Sequence, residues 1–248
     1  MPFLDSLFAP FRKKRELLIQ SYAKTLDSYF PYYKRLQPEG RKVFIERILH
    51  FRKSKSFHFL EMEKSADIEV LVSAAAVQLT FGLPEYNYGF FEDIYIIKGA
   101  YTYGASTTPW AGHVNHQGIH VAWDHVLKGY VLETDGYNVG LHEMAHAFEY
   151  ELVFGDYAFD HILKSRFYAV SIAIRDHVID QPWHLAELYS PQGLSNNHEC
   201  WAESVELFFE KPAKLKEYYP GLFSTIAELL QQDPLQGKME EATASYLS

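Results

Sequence analysis

Cysteine is almost missing from this 248-residue chain, in which Cys200 stands alone. A single thiol cannot close an intramolecular disulfide, so a disulfide-stabilised fold is excluded and a reducing, cytoplasmic environment is predicted. Long apolar runs are missing too, because the longest charge-free apolar stretch is Val70–Leu79. That stretch is too short to cross a bilayer as a helix, so we expect no membrane partner.

Apolar side chains in general are abundant, and their fraction of 48% excludes intrinsic disorder. Charge is unevenly spread: residues 1–64 hold 14 Lys and Arg against 7 Asp and Glu, whereas residues 65–248 hold 9 against 25. A basic arm for nucleic acid or for an acidic membrane has this pattern, and so do basic helices packed on an acidic body. The sequence lacks a Gly-rich loop, an RNP-like motif and zinc-finger spacing, so we favour packed helices and expect no nucleic-acid partner.

Periodicity along the chain predicts a helix-rich α+β fold with a small central sheet. Helical spacing of apolar residues covers Arg12–Phe30, Glu39–Phe51, Asp67–Phe81, Val139–Phe154, Ala158–His177, Asn197–Phe209 and Pro220–Gln232. Aromatic and β-branched residues predict strands over Tyr88–Ile97 and Gly118–Trp123. We expect a basic helical segment, 1–64, packed on a catalytic domain, 65–236, and a flexible tail, 237–248.

Residues 142–146 read His-Glu-Met-Ala-His, which is an HExxH motif. On a helix, His142 and His146 project from one face one turn apart, so both imidazoles can hold one zinc ion. Glu143 lies about 100° further round the helix, where it can act as a base toward water on the ion. Two surface histidines on an ordinary amphipathic helix are the alternative. A helix cap at Asn138 favours the zinc helix.

A catalytic zinc site needs a third protein ligand, and the segment 196–210 offers two carboxylates. Glu199 and Glu203 are four residues apart and share a helix face. We favour Glu199 as the ligand, with Glu203 orienting a ligand histidine through its free ring N–H. Two alternatives remain open: Glu203 is the ligand, or Asn196 and Glu199 form a capping box without any metal.

Two long segments, residues 122–151 and 198–235, resemble the Mlc titration factor A family of zinc peptidases. The family shows a WDDV-like segment, then DGxNVxxHExAH, and later a segment ending in QDP; this chain has WDHV, DGYNVGLHEMAH and QDP. The resemblance implies a zincin-like fold with a catalytic core similar to that of anthrax lethal factor. It also implies one Zn²⁺ ion held by His142, His146 and Glu199, with Glu143 as the general base.

Two positions depart from the family's pattern. Glu149 stands where the family often has Asp, and its longer side chain changes the contacts around the metal ligands. The family also has a tyrosine about seven residues before the glutamate ligand, placed to stabilise the oxyanion; here that position is Gln192. Tyr189 is the nearest tyrosine, and a loop within 190–197 would have to bring it to the zinc. His198 is the alternative candidate for stabilising the oxyanion. Tyr189 can also be an ordinary half-buried aromatic residue without a catalytic role.

Three further expectations concern the surroundings of the zinc helix. We expect Gly118–Trp123 to be an edge strand with which a peptide substrate pairs. The loop 190–197 is the candidate for gating the cleft. The nearby histidines fit no standard metal spacing, so a second ion is not expected; they are His113, His116, His120 and His125.

Three functions compete for this sequence. A zinc peptidase, and specifically an aminopeptidase as the resemblance implies, acts on a peptide or protein substrate. A binding protein sequesters a transcriptional repressor, as members of the family do, and has weak peptidase activity. A helical structural protein has no metal at all. The intact motif favours the peptidase, because a protein that only binds a partner does not need a base at Glu143.

Overall fold

The computed structural model describes residues 2–84, 87–104, 106–132, 134–155, 160–180 and 188–236. These residues form ten α-helices: α1 Pro2–Tyr29, α2 Pro31–Arg35, α3 Pro38–Lys53, α4 Ala66–Thr80, α5 Trp123–Val131, α6 Val139–Phe154, α7 His161–Ile174, α8 Asn197–Glu210, α9 Pro212–Tyr218 and α10 Pro220–Leu230. A π-helical turn, Arg175–Ile179, continues α7. Four strands accompany them: β1 Ser56–Leu60, β2 Asp93–Ile97, β3 Gly112–Asn115 and β4 Gly118–Ala122. The expected helix-rich α+β fold with a small sheet is confirmed.

The four strands form one mixed sheet in the order β1-β2-β4-β3. Strands β1, β2 and β4 run parallel, whereas β3 is antiparallel to β4, to which a short turn joins it. Gly118 begins β4 with a φ of 151°, and a Cβ atom there would lie 2.5 Å from the carbonyl oxygen of Asp93 on β2. Glycine therefore lets β4 enter the sheet directly beside β2.

The strand predicted to be at the edge of the sheet is an inner strand. The predicted segment Gly118–Trp123 corresponds to β4, which has β2 on one side and β3 on the other. The edge beside the site is β3, a strand of four residues, Gly112–Asn115, that the sequence analysis did not identify. Four residues that include a glycine are too short a segment to show a period of two.

Helix α4 lies at the centre of the molecule and contacts α1, α3 and α6. Its residues Ala74, Ala75 and Ala76 are completely buried, and every residue from Ile68 to Thr80 is buried. A helix without an exposed face is typical of a protein core, which explains the largely apolar run Val70–Leu79. No helix in the described ranges combines the length and apolar character that crossing a membrane requires.

The basic N-terminal segment, residues 1–64, is joined to this core. Strand β1 pairs along its full length with β2, and Phe44 and Phe51 of α3 are fully buried. Two basic side chains of this segment, Arg52 and Lys64, form ion pairs with Glu69 in the first turn of α4. Basic side chains thus lie against an acidic group of the body, as the favoured interpretation of the charge pattern expects.

Several predicted boundaries differ from the structure. Helix α6 has the predicted bounds, whereas only the last five residues of the predicted strand Tyr88–Ile97 are extended. Helix α7 begins at His161, because the side chain of Asp160 caps it by accepting from the backbone N–H groups of residues 162 and 163. Strand β1 and helices α2, α5 and α9 were not predicted. The expected tail, 237–248, lies outside the described residues.

Candidate metal centre

Helices α6 and α8 carry the residues of the site and pack against each other. Helix α6 begins at Asn138, whose side-chain oxygen accepts from the backbone N–H of Leu141 at 3.0 Å. This cap satisfies one of the free N–H groups at the start of the helix and sets the position of its first turn. His142 and His146 therefore project from α6 toward α8, while Met144 and Ala145 are buried.

Three side chains converge where α6 faces the start of α8. Nε2 of His142 lies 3.3 Å from Oε2 of Glu199, and Nε2 of His146 lies 3.7 Å from Oε1 of the same carboxylate. The two Nε2 atoms are 3.2 Å apart, and one ligand atom from each of the three residues lies within 4.8 Å of the others. Tetrahedral bonds of about 2.1 Å to a zinc ion would separate donor atoms by about 3.4 Å. The three side chains thus fit a single metal ion.

Glu199 lies in the first turn of a capped helix and also faces the two histidines, two arrangements that the sequence left as alternatives. Asn196 is indeed the cap of α8, because its side-chain oxygen accepts from the backbone N–H groups of His198 and Glu199 at 2.9 and 3.0 Å. The carboxylate of Glu199 nevertheless faces His142 and His146. Burial opposes its ionisation, but the two imidazoles outweigh that effect and lower the pKa of Glu199 to about 2. The carboxylate is therefore charged, as a metal ligand must be.

The carboxylate that orients a ligand histidine is Glu206, which the sequence analysis missed. Its Oε1 accepts from Nδ1 of His142 at 2.7 Å, and its other oxygen accepts from the backbone N–H of Asn138. Glu206 is 1% exposed. A hydrogen bond at Nδ1 leaves Nε2 free to bind a metal and holds the ring in place. Glu206 follows Glu199 by seven residues, a helical spacing that places both on one face of α8 and was the available indication.

Glu203 does not contact the histidines, which corrects the expected role. Its carboxylate accepts from the backbone N–H of Ser190 at 2.9 Å and from the hydroxyl of the same serine. Gly193 lies so close that a Cβ atom there would meet Oε2 of Glu203 at 2.2 Å. Glu203 therefore fastens the loop that precedes α8. From this loop, Nε2 of Gln192 donates to Oε2 of Glu199 at 2.9 Å.

Tyr189 lies at the start of the same loop and faces the core. Its side chain is buried against Tyr219, and its hydroxyl shares a hydrogen bond with the hydroxyl of Ser204 at 2.8 Å. Among the described residues that line the cavity over the metal donors, Gln192 is present and Tyr189 is not. The expectation that Tyr189 stabilises an oxyanion is therefore corrected, because its hydroxyl is used to anchor the loop.

Glu149 and His198 form a pair at the wall of the cavity. Nδ1 of His198 lies 2.7 Å from Oε1 of Glu149, so the carboxylate contacts this exposed histidine instead of a metal ligand. His113 and His120 stack on each other at 4.1 Å, and Nδ1 of His113 bonds to the hydroxyl of Tyr101 at 2.7 Å. The histidines of β3 and β4 thus contribute to an aromatic stack across the sheet.

Glu143 lies beside the three donor residues, in the wall of a cavity of about 510 Å³. Its carboxyl packs on β3, where a Cβ atom at Gly112 would lie 2.4 Å from Oε1 of Glu143. The carboxyl is buried, and its Oε2 has no hydrogen-bond partner in the described part of the chain. Burial raises the pKa of Glu143 to about 8. Such a carboxyl can both accept and release a proton near neutral pH.

Two histidines and a glutamate at metal-binding distance, with a buried carboxyl beside them in the wall of one cavity, form a candidate metal centre of the kind that activates water. The chain belongs to the family of glucose-regulated metallo-peptidase M90, whose model matches residues 10–231. The match covers most of the chain and confirms the family resemblance noted from the motifs. None of the curated proteins compared with this chain matches it.

Proposed function

We propose that this protein is a zinc-dependent peptidase in which His142, His146 and Glu199 hold one ion and Glu143 is the general base. The observation that carries the proposal is the convergence of these four side chains at one cavity. Two imidazole nitrogens and one carboxylate oxygen are the ligand set of many catalytic zinc sites. A cytoplasmic location belongs to the same proposal and is supported by the lone, buried thiol of Cys200.

The bound ion would supply Lewis acidity that polarises the scissile carbonyl and acidifies water. The protein's own residues do the rest. Glu143 accepts a proton from water as the water oxygen attacks the carbonyl carbon, and passes this proton to the amine nitrogen as the C–N bond breaks. Glu206 keeps Nε2 of His142 directed at the site. The edge strand β3, which borders the cavity, offers its backbone to an extended peptide.

Substitution of the base tests this proposal. The Glu143→Gln protein should retain one equivalent of zinc by elemental analysis, because Glu143 is not a ligand, and should lose peptide cleavage by at least about a hundredfold, within the range general bases contribute. Glu228→Gln is the matched control, since Glu228 is exposed on α10 and far from the donors in sequence. Equal cleavage by Glu143→Gln and wild type would refute the base assignment. Purified protein without stoichiometric zinc would refute the zinc site.

Peptides with a free or an acetylated N-terminus distinguish an aminopeptidase from an endopeptidase. If the protein is an aminopeptidase, as the family resemblance implies, it should cleave a peptide with a free N-terminus and leave the N-acetylated form intact. Sequestration of a transcriptional repressor is the alternative function. Repressor binding that is equal for wild type and Glu143→Gln, together with no measurable cleavage by wild type, would favour that alternative.

A further inference from the structure

The helix face that carries the two histidines continues beyond them as an apolar strip. Tyr150, Val153 and Phe154 follow His146 by four, seven and eight residues, so they occupy the same face one and two turns later. We call these three residues the α6 strip. All three line the cavity that contains the metal donors. Val153 is 54% exposed and Phe154 is 64% exposed.

Phe90 packs against two of the three residues of the α6 strip. The ring of Phe90 lies 6.0 Å from that of Tyr150 and 5.8 Å from that of Phe154. The backbone N–H of Phe90 donates to Glu151 of α6 at 2.7 Å, which ties its loop to the helix. Trp110, which precedes β3 and also lines the cavity, is 39% exposed and packs edge-on against Tyr103. Apolar side chains of two different elements therefore line the cavity.

The small size of the α6 strip and its distance from the metal donors favour a peptide side chain, and not a protein surface, as its occupant. Three side chains are far less than the roughly 800 Å² per partner that a stable protein interface buries. One or two apolar side chains of a peptide are of the right size. Val153 lies seven residues beyond His146, which is about 10 Å along the helix axis. An extended peptide covers this distance in about three residues.

We infer that the α6 strip is a substrate subsite that selects a large apolar or aromatic side chain within about three residues of the scissile bond. The inference rests on the proposed peptidase function and names the class of substrate: peptides with such a residue within about three residues of the cut. The subsite gains specificity because an apolar side chain placed there removes exposed apolar surface of Val153 and Phe154 from water. A small or charged side chain gains nothing from the same contact.

A library of peptides from a digested proteome tests the inference without knowledge of the natural substrate. The zinc-loaded wild-type protein is incubated with the library, and the cut sites are read by mass spectrometry. We expect Phe, Tyr, Leu, Ile and Met to be enriched several-fold at one position near the cut. A peptide with Phe at that position is then compared with its Ala counterpart for each variant. Val153→Lys should lower the ratio of kcat/KM for the Phe peptide to kcat/KM for the Ala peptide about tenfold.

Ile162→Lys is the matched control, because Ile162 is 67% exposed on α7 and outside the cavity lining in the described residues. Phe154→Ala adds a milder variant, for which the same selective loss is expected. Glu143-dependent cleavage with no apolar enrichment would overturn the inference and leave the peptidase function intact. No Glu143-dependent cleavage would refute the proposed function and the subsite with it. Self-association that Val153→Lys abolishes, with an unchanged cleavage profile, would also overturn the subsite.

Discussion

Four glutamates along one face of α8 have four different partners. Glu199 faces the histidines, Glu203 holds Ser190, and Glu206 accepts from His142. Glu210 accepts from the side chain of Asn138 and from the backbone N–H of Gly136, just before α6. Their spacing of four, three and four residues keeps them on one face. One helix face therefore carries the candidate metal ligand Glu199, fastens a loop and contacts the start of the neighbouring helix.

Removal of the buried carboxylate behind His142 should weaken metal binding. In Glu206→Ala, the Nδ1–H of His142 loses its acceptor, so the ring is free to rotate and is less basic. We expect zinc affinity to fall about 10–100-fold, the usual effect of losing such a partner. Competition with a chromophoric chelator measures it. Glu228→Ala, on the surface of α10, should bind zinc as wild type does. An affinity for Glu206→Ala within twofold of wild type would contradict the assignment.

A methyl group at Gly112 should disable the base without removing the metal. The added Cβ would lie 2.4 Å from Oε1 of Glu143 and would displace that carboxyl. We expect Gly112→Ala to lose at least about tenfold in kcat/KM, in keeping with general-base catalysis, while zinc content stays at one equivalent. Gly40→Ala is the control, because its Cβ meets neighbours only at 3.7 Å or more within α3. That control should keep activity and gain about 0.4–1 kcal/mol in stability, because Ala has fewer conformations than Gly in the unfolded chain. Full activity in Gly112→Ala would exclude this packing.

At the scale of elements, the loop before α8 is a connection with three anchors. Tyr189 is buried beside Ser204, Ser190 is held by Glu203, and Gln192 reaches the carboxylate of Glu199. All of these partners lie on α8, so the helix holds the loop that precedes it. The gating role expected of this loop stays a prediction, and the described contacts add that the loop also holds the carboxylate of Glu199.

The anchors of this loop should act together on metal affinity. Gln192→Ala removes the hydrogen bond to Glu199, and Glu203→Ala releases the loop that presents Gln192. Each substitution is expected to weaken zinc binding several-fold, and the double variant to be little worse than Glu203→Ala alone, since coupled residues are not additive. Zinc dissociation constants for the two single variants and the double variant check this. Fully additive losses would show that Glu203 acts by another route.

At the scale of the whole molecule, the basic N-terminal segment and the sheet are parts of one core. Strand β1 supplies an outer strand of the sheet, and Phe30 and Phe44 of the N-terminal helical region pack near Phe81 and Tyr130. All four of these aromatic side chains are buried. The boundary at residue 64 therefore separates a basic from an acidic part of the sequence, and core side chains on its two sides pack together.

Deletion of residues 1–64 should prevent the remainder from folding. The deletion removes β1 and fully buried side chains such as Phe44 and Phe51, and truncating even one such residue to Ala typically costs about 3–5 kcal/mol. The described part of this segment contains ten buried apolar side chains, so their combined loss exceeds the roughly 5–15 kcal/mol by which a whole domain is stable. Circular dichroism of the 65–248 fragment should show no cooperative thermal transition, whereas the full chain should unfold in one. A fragment that melts cooperatively and binds zinc would establish two separate domains.

Local patterns determined much of this protein. The bounds of α6, its cap at Asn138 and the common face of His142 and His146 follow from spacing and from the chemistry of a cap, which involve residues close in sequence. Glu199 could be proposed as the third ligand from its place near the start of a predicted helix and from the family resemblance. Such features depend on contacts a few residues apart, so the sequence alone suffices for them.

Only the tertiary structure decided which carboxylate serves which purpose and which strand is the edge. Glu203 and Glu206 are both available on α8, and the packing of α8 against α6 directs Glu206 to His142. The hydroxyl of Tyr189 points into the core because Ser204 lies there, and the order β2-β4-β3 leaves β3 outermost. Tyr189 and Ser204 are 15 positions apart, and His142 and Glu206 are 64 apart. The free energy of packing such residues together is a property of the assembled core, not of any local segment.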